Sequence, residues 1–183
     1  MQRFLVPHPD WPCEAVSQIA VEVARTAAAR LTLSYRVAAG PGLVIPPPAP
    51  GIRADGLWKH TCFEAFVRAA DGAGYYELNL SPSGAWAAYR FGAYRDGMAA
   101  ADIAAPRIAW TATDDGYELS AAVDLGALPD LAGAPWRLGL AAVIEEASGR
   151  TGYWALAHPP GKADFHHHDG FALDLPQPMI PGP

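Results

Sequence analysis

The chain has 183 residues, of which 51% are hydrophobic and 17% charged, and its formal net charge is −6. That length suits one well-buried core and is short for two, and the hydrophobic content excludes an intrinsically disordered chain. The acidic balance, without any basic run interleaved with aromatic residues, gives no basis for binding nucleic acid or an anionic membrane surface.

Targeting signals are absent from the sequence pattern. No apolar run reaches about eighteen residues, so no membrane span is expected. The first residues, MQRFLVPHPDWP, lack the charged-then-apolar pattern of a secretory signal, and the cytoplasm is the expected compartment. The two cysteines, Cys13 and Cys62, are too few to indicate a disulfide framework.

The N-terminal region permits two interpretations. Residues 14–29 (EAVSQIAVEVARTAAA) fit an amphipathic helix, and they also fit a strand with Ile19, Val21 and Val23 on one face. The β-branched content and the strand-like LTLSYRV that follows favour two strands. Residues 39–56 contain three consecutive prolines and are predicted to be an extended loop.

From residue 57 onward, period-two alternation and short turns dominate. Residues 57–68 (LWKHTCFEAFVR) and 171–175 (FALDL) are predicted strands, and the Pro-rich tail 176–183 cannot extend a sheet. Three hairpins are predicted between, pairing residues 75–80 with 85–94, 107–113 with 116–123, and 136–145 with 151–156. The chain is therefore expected to be one all-β domain over residues 1–183, an antiparallel β-sandwich of about eight to ten strands with little helix, in a jelly-roll-like arrangement.

Common enzyme signatures are missing. The sequence has no G-x-S-x-G elbow, phosphate-binding loop, G-x-G-x-x-G or H-E-x-x-H. Ser81 and Ser83 lie in the SPSG turn, where their ordinary role is turn formation. The chain is expected not to be an enzyme.

Four of the six histidines lie in one stretch, HPPGKADFHHHDGF, which spans residues 158–171. In an extended segment His166 and His168 would point the same way, and with Asp164 or Asp169 they would suit a divalent metal. A metal site needs three or four converging ligands, which a local run does not establish, so solvated or hydrogen-bonded loop histidines are the favoured interpretation. Phe165 is predicted to anchor the loop to the core.

A second cluster of polar and aromatic residues comes from three consecutive segments. If the strands are neighbours, carboxylates, an amide, an arginine and an indole would line one sheet surface, as sugar recognition requires. Trp58 and Trp86 are predicted to be the most accessible tryptophans. The competing interpretation is a solvated sheet face with Glu–Arg cross-strand pairs. The members of the cluster are Trp58, His60, Glu64, Glu77, Asn79, Trp86 and Arg90.

The runs LWKHTCFEAFVR, YYELNLSPSGAWAAYRFGAYRDGM and YWALAHPPGKADFHHHDGFALDL resemble the DOMON-like proteins of bacteria, relatives of the family 9 carbohydrate-binding modules. The resemblance covers nearly the whole chain. It implies an immunoglobulin-like or jelly-roll β-sandwich, strands in residues 16–37, and a non-catalytic module that binds sugar or haem. The tryptophan-then-glutamate signature of such modules matches Trp58 and Glu64.

The resemblance also singles out part of the histidine stretch. Its H-P-x-G-K-x-D-F-H pattern leaves the second and third histidines of the triplet outside. Unlike extracellular sugar-binding modules, this sequence shows no secretion signal and no accompanying catalytic domain. The matching residues are His158, Pro159, Gly161, Lys162, Asp164, Phe165 and His166.

The leading hypothesis is a small-ligand-binding module, with a carbohydrate stacked on Trp58 or Trp86. The predicted ligand-binding residues are Trp58, Glu64, Glu77, Asn79, Trp86, Arg90, His158, Lys162, Asp164 and His166. Three alternatives stay open. One is a haem or divalent-metal protein using His158, His166 or His168, with Met98 as a further haem ligand. The others are a glycoside hydrolase using Glu64 and Glu77, and a purely structural interaction partner.

Overall fold

The computed structural model describes residues 1–178, and most of its regular structure is antiparallel β-strand. The three short helical elements are single 3₁₀ turns at Leu57–Lys59, Pro129–Leu131 and His168–Gly170. The described strands, twelve in all, are β1 (Gln2–Pro7), β2 (Val16–Ala27), β3 (Arg30–Ala39), β4 (Cys62–Ala69), β5 (Tyr75–Leu80), β6 (Trp86–Phe91), β7 (Ala99–Ala100), β8 (Arg107–Thr113), β9 (Gly116–Asp124), β10 (Trp136–Glu145), β11 (Thr151–Ala155) and β12 (Leu173–Leu175).

Eleven strands form one curled sheet in the order β7-β6-β5-β4-β10-β11-β1-β2-β3-β9-β8. The short strand β12 lies outside this order and pairs with β10. Strand β1 links two halves, because Val6 pairs with Ala155 of β11 while Leu5 pairs with Ile19 of β2. The β4 half comprises the strands β7, β6, β5, β4, β10, β11 and β12. The β3 half comprises the strands β2, β3, β9 and β8.

The two halves meet around the hydrophobic core. Tyr35 of β3 and Phe63 of β4 are both fully buried, with ring centroids 4.9 Å apart. The Tyr35 hydroxyl also donates a hydrogen bond to the backbone carbonyl of Glu64, at 2.9 Å. One face of β4 is therefore fixed against β3, and its alternate residues point to the opposite, outer face.

The predicted hairpins are confirmed, since β5 pairs with β6, β8 with β9 and β10 with β11, all antiparallel. The strand interpretation of the N-terminal region is also confirmed, because β2 and β3 pair along nearly their whole length. Strands β1 and β7 were not predicted, and they raise the number above the expected eight to ten.

Two predicted strands begin later than expected. In residues 57–68 the strand starts at Cys62, because Gly56 adopts a left-handed conformation (φ 75°) and starts the turn Leu57–Lys59. In residues 171–175 the strand starts at Leu173, after the turn His168–Gly170.

The C-terminal tail is described in part. Residues 176–178 belong to no strand, and residues 179–183 of the predicted Pro-rich tail lie outside the described residues. Within residues 1–178, no helix has the length and apolar character needed to cross a membrane.

Both cysteines are free thiols in the interior. Cys62 is fully buried, and burial raises its pKa well above the ordinary value. Cys13 is partly buried against Gly152, where a Cβ atom would lie 2.6 Å from the Cys13 Cβ. Burial raises the pKa of Cys13 as well.

Candidate functional site

The outer face of the β4 half carries three of the predicted polar residues. The register of β4 and β5 sets Glu64 opposite Asn79 and Phe66 opposite Glu77. Since Phe63 and its alternate neighbours fill the core, Glu64, Glu77 and Asn79 all point to the outer face. The structure brings these three residues together.

A cavity of about 360 Å³ lies over this face. Its wall has four aromatic side chains, those of Trp58, Phe91, Tyr153 and Phe165, and four polar ones, those of Glu64, Glu77, Arg95 and His166. An apolar wall with a few convergent polar groups is typical of a small-molecule site, and the volume falls within the usual range for one.

Trp58 stands at the rim of the cavity. Its side chain belongs to the 3₁₀ turn that precedes β4, and the residue is 38% exposed. The indole contacts Tyr89 edge to face, with ring centroids 6.0 Å apart. The prediction that Trp58 is accessible is confirmed, and its free surface is available for stacking.

Glu64 and Glu77 are buried carboxyl groups, 3% and 5% exposed. Burial raises the pKa of Glu64 well above its usual range, and the neighbouring carboxylate of Glu77 raises it further. Burial raises the pKa of Glu77 as well, although the Asn79 amide and the Arg95 charge oppose this. The pair therefore holds a proton at a pH where exposed carboxyl groups have lost theirs.

Asn79 acts on the cavity through Glu77. It is fully buried, and its Nδ2 donates to Glu77 Oε1 at 2.6 Å. Its Oδ1 lies 3.8 Å from Cys62 Sγ. With both ends of the amide engaged, Asn79 orients the Glu77 carboxyl and does not line the cavity itself.

His166 connects the histidine-rich stretch to this face. Its Nδ1 lies 2.8 Å from the Tyr75 hydroxyl, and its Nε2 lies 3.6 Å from Glu77 Oε2. The Tyr75 oxygen also accepts the Arg95 backbone N–H, and the phenol hydrogen is available to Nδ1 of His166. Burial and the Arg95 charge lower the pKa of His166 to about 4. The imidazole is neutral near pH 7, so its contact with Glu77 is not an ion pair.

Arg95 and Asp164 join two loops at the edge of the cavity. Arg95 Nη2 donates to Asp164 Oδ1 at 2.7 Å, and the Tyr94 hydroxyl donates to Asp164 Oδ2. The same Asp164 Oδ1 accepts the backbone N–H of His166. Burial acts to raise the pKa of Asp164, but the hydrogen bonds from Tyr94 and Arg95 outweigh it and lower that pKa.

The backbone at Arg95 is strained. Within residues 1–178, Arg95 is the one non-glycine residue with a positive φ, 53°. Such a conformation persists where surrounding contacts fix it, and it is frequent at functional sites. Here the contacts are the Tyr75 hydroxyl on the backbone N–H and Asp164 on the guanidinium.

Trp86 and Arg90 lie on the other side of the sheet. The prediction that Trp86 is accessible is wrong: it is 6% exposed and belongs to the core. The register sets Trp86 opposite Leu80 and Arg90 opposite Tyr76, whose side chains face the core. Arg90 is exposed at the rim of that face and does not reach the cavity.

The remaining predicted residues, His158 and Lys162, do not line the cavity. His158 Nε2 contacts the backbone carbonyl of Val6 at 2.9 Å, and Lys162 is exposed. His166 contacts Tyr75, and it lines a second pocket together with His167 and His168. Met98 and His166 line one cavity, in which Nδ1 of His166 contacts the Tyr75 hydroxyl and Nε2 lies 3.6 Å from Glu77 Oε2.

One local group of ligand-type atoms exists within the described chain. Consecutive residues His167, His168 and Asp169 place theirs within 4.8 Å of one another. His168 and Asp169 are exposed, and Asp169 already pairs with both histidines. Contacts between neighbouring loop residues account for this group, as the solvated-histidine interpretation expects.

Several cavity residues were missed from the sequence. Arg95 sits in a loop, YRDGM, without any periodic pattern that would indicate its direction. Phe91 and Tyr153 belong to predicted strands. The alternation of side chains assigns each to one face of its strand, but it does not show which face of the sheet lies under the cavity. Phe165, predicted as an anchor, packs on the aromatic cluster of the outer face.

Comparison with known proteins supports the fold. No family model and no curated protein matches the chain. It is similar to a putative carbohydrate-binding protein from Bacteroides uniformis, with TM-score 0.70 and 15% identity over 97% of this chain and 86% of the other.

Two further similar structures are of a family 9 carbohydrate-binding module from Caldicellulosiruptor kristjanssonii. The complex with glucose has TM-score 0.52 and 14% identity, over 89% of this chain and 78% of that chain. The complex with cellotriose has TM-score 0.52 and 13% identity, over 98% of this chain and 88% of that chain. At these identities the similarity establishes a mostly antiparallel β fold of the kind found in carbohydrate-binding modules.

Proposed function

We propose that this chain is a non-catalytic β-sandwich module, DOMON-like in character, that binds a carbohydrate in the cavity over the outer face of the β4 half. The observation that carries the proposal is that the partly exposed Trp58 indole and the two buried carboxyl groups of Glu64 and Glu77 line the same cavity. The similarity of fold to carbohydrate-binding modules supports it. The expected cytoplasmic location is part of the same proposal.

Each wall group has a role in holding a sugar. Trp58 would stack on the apolar face of a pyranose ring. The protonated carboxyl of Glu64 can donate a hydrogen bond to a hydroxyl group, and Glu77 can accept one. The neutral His166 lies beside Glu77, and the Arg95–Asp164 pair joins the loop that follows Phe91 to the segment that carries Phe165.

Calorimetric titration with glucose, cellobiose and cellotriose tests this function, with tryptophan fluorescence as a second signal. Trp58→Ala should weaken binding at least about tenfold, because the stacking surface is lost. Arg90→Ala is the matched control and should bind as the wild type does, since Arg90 lies on the other side of the sheet. Absence of binding across a wider glycan panel, or unchanged binding by Trp58→Ala, would refute the proposal.

A second candidate, glycoside hydrolysis, is favoured by one observation. Glu64 and Glu77 line the same cavity and both have a raised pKa, as an acid catalyst requires. Release of reducing sugar by the wild type and not by Glu64→Gln would establish an enzyme in place of a binding module.

A further inference from the structure

The Glu64 carboxyl group is buried, faces the cavity and has no hydrogen-bond partner among residues 1–178. The residue is 3% exposed, and no hydrogen bond joins its side-chain oxygens to any other residue between 1 and 178. Its recorded contact, with the Tyr35 hydroxyl, is made by the backbone carbonyl. Buried polar groups are nearly always hydrogen-bonded, so this carboxyl is available to a partner that enters the cavity.

The charges around the cavity favour a cationic partner. Arg95 is the cation in the cavity wall, and its guanidinium is already paired with Asp164 at 2.7 Å. His166 is neutral near pH 7, as described above. Glu64 and Glu77 therefore remain as two acidic groups without a matching positive charge, and Cys62 and Tyr35, which also lie near Glu64, supply none.

The apolar part of the wall points the same way. Four aromatic rings surround the two carboxyl groups, and the negative faces of aromatic rings attract an organic cation. A carboxylate ligand would face the remaining negative charge of the Glu64–Glu77 pair across a site of low polarity, where like charges repel strongly.

We propose that the ligand of this site is an amine-bearing sugar, whose ammonium group pairs with Glu64 while its ring stacks on Trp58. This inference rests on the proposed function and narrows it to one class of carbohydrate. In the free protein the Glu64–Glu77 pair holds a proton. When the ammonium binds, Glu64 becomes a carboxylate, its proton passes to the buffer, and the ligand amine keeps all of its hydrogens.

Matched trisaccharides test the inference on the full chain. The trimers of glucosamine, N-acetylglucosamine and glucose, and a uronic acid oligomer, are titrated calorimetrically at about pH 6, where the sugar amine is protonated. The glucosamine trimer should bind at least about tenfold more tightly than cellotriose, because a charged group gains a buried partner. Repetition in buffers of different ionisation enthalpy should show proton release on binding of the glucosamine trimer and none on binding of cellotriose.

Glu64→Gln separates the role of the charge from that of the shape. This variant should bind the glucosamine trimer and cellotriose with affinities within about twofold of each other, and it should release no proton. Its thermal melting curve checks folding, and the wild-type titrations decide the inference even where the variant is unstable.

The two proposals fail in different ways. Equal affinity for the amine and its hydroxyl analogue, tighter binding of the acetylated or uronic acid oligomer, or absence of proton release overturns the inference and leaves carbohydrate binding in place. Absence of binding to every sugar overturns both.

Discussion

Three ionisable side chains at the outer face of the β4 half, those of Glu64, Glu77 and His166, are largely buried. The protonation of the two carboxyl groups and that of the imidazole affect stability in opposite directions. Burial raises the pKa of Glu64 and Glu77 and lowers that of His166 to about 4. All three therefore favour the neutral form in the folded state, as expected for ionisable groups in a largely apolar wall.

Replacing Glu64 with glutamine should remove a pH-dependent loss of stability. Since the folded state holds this proton and the unfolded state releases it, the wild-type free energy of unfolding should fall as the pH rises above the unfolded pKa of about 4 toward the raised folded value. Urea unfolding between about pH 5 and pH 8 should show a shallower fall for Glu64→Gln. Glu22→Gln, at an exposed position of β2, should keep the wild-type profile; parallel profiles for wild type and Glu64→Gln would show that Glu64 is ionised in the folded state.

His166 should give the opposite dependence. Its folded pKa of about 4 lies below the ordinary value of 6.5, so stability present above pH 6.5 is lost as the pH falls toward 4. His166→Gln should reduce this acid loss by on the order of 2 kcal/mol, allowing for partial exposure. His168→Gln, at a side chain that is 75% exposed, is the control, and an equal effect from both variants would contradict the assignment.

At the scale of single residues, the sequence predicted Glu64, Glu77 and Asn79 correctly as neighbours on one face, because alternation fixes relative orientation within a strand. The prediction that Trp86 is accessible was wrong, because every residue of the neighbouring strand β5 is buried and both faces of the sheet carry apolar side chains. When both faces are covered, alternation does not say which one is the core.

At the scale of elements, the cavity depends on two loops that are joined across it. The loop after β6 carries Tyr94 and Arg95, and the segment after β11 carries Asp164 and His166. Asp164 accepts hydrogen bonds from Tyr94 and Arg95 and from the backbone of His166, so one carboxylate fixes both loops.

Asp164→Asn should loosen both loops together. The variant loses the charge that pairs with Arg95, and we expect a cost of about 1–2 kcal/mol in the free energy of unfolding. Hydrogen exchange should become faster in residues 92–98 and 157–168, and sugar affinity should fall. Asp174→Asn removes an exposed pair with Arg137 and should change neither; unchanged exchange in Asp164→Asn would show that the loops are held by packing alone.

Most elements were predictable where alternation and a turn signal coincide, as in the hairpin β5–β6 around SPSG. The aromatic and β-favouring content of residues 57–68 indicated a strand from residue 57, but the left-handed Gly56 starts a turn there. The joining of the two loops by Asp164 and Arg95 could not be predicted, because the residues lie 69 positions apart and no local pattern relates them.

At the scale of the whole molecule, β1 decides whether the sheet is continuous. It pairs with β11 in one half and with β2 in the other, and Leu5 packs into the shared core at 3% exposure. This strand was not predicted, because it shows only a short apolar run and its partner strands are distant in the chain.

Leu5→Ala should destabilise the whole protein by about 2–5 kcal/mol, because it leaves a cavity at the junction of both halves. Phe4→Ala changes the neighbouring residue, which is 55% exposed, and should cost no more than about 0.5 kcal/mol. Thermal unfolding followed by circular dichroism measures both. A similar small shift for the two variants would mean that β1 is not part of the cooperative unit.

The two interior thiols make this protein suitable for site-specific labelling. Cys13 and Cys62 are shielded and have raised pKa values, so maleimide reagents should modify them slowly in the folded state. A cysteine introduced at the exposed Lys162 would react first and carry a fluorophore on the loop beside the cavity. Loop movement during ligand capture could then be followed in real time without removing either native cysteine.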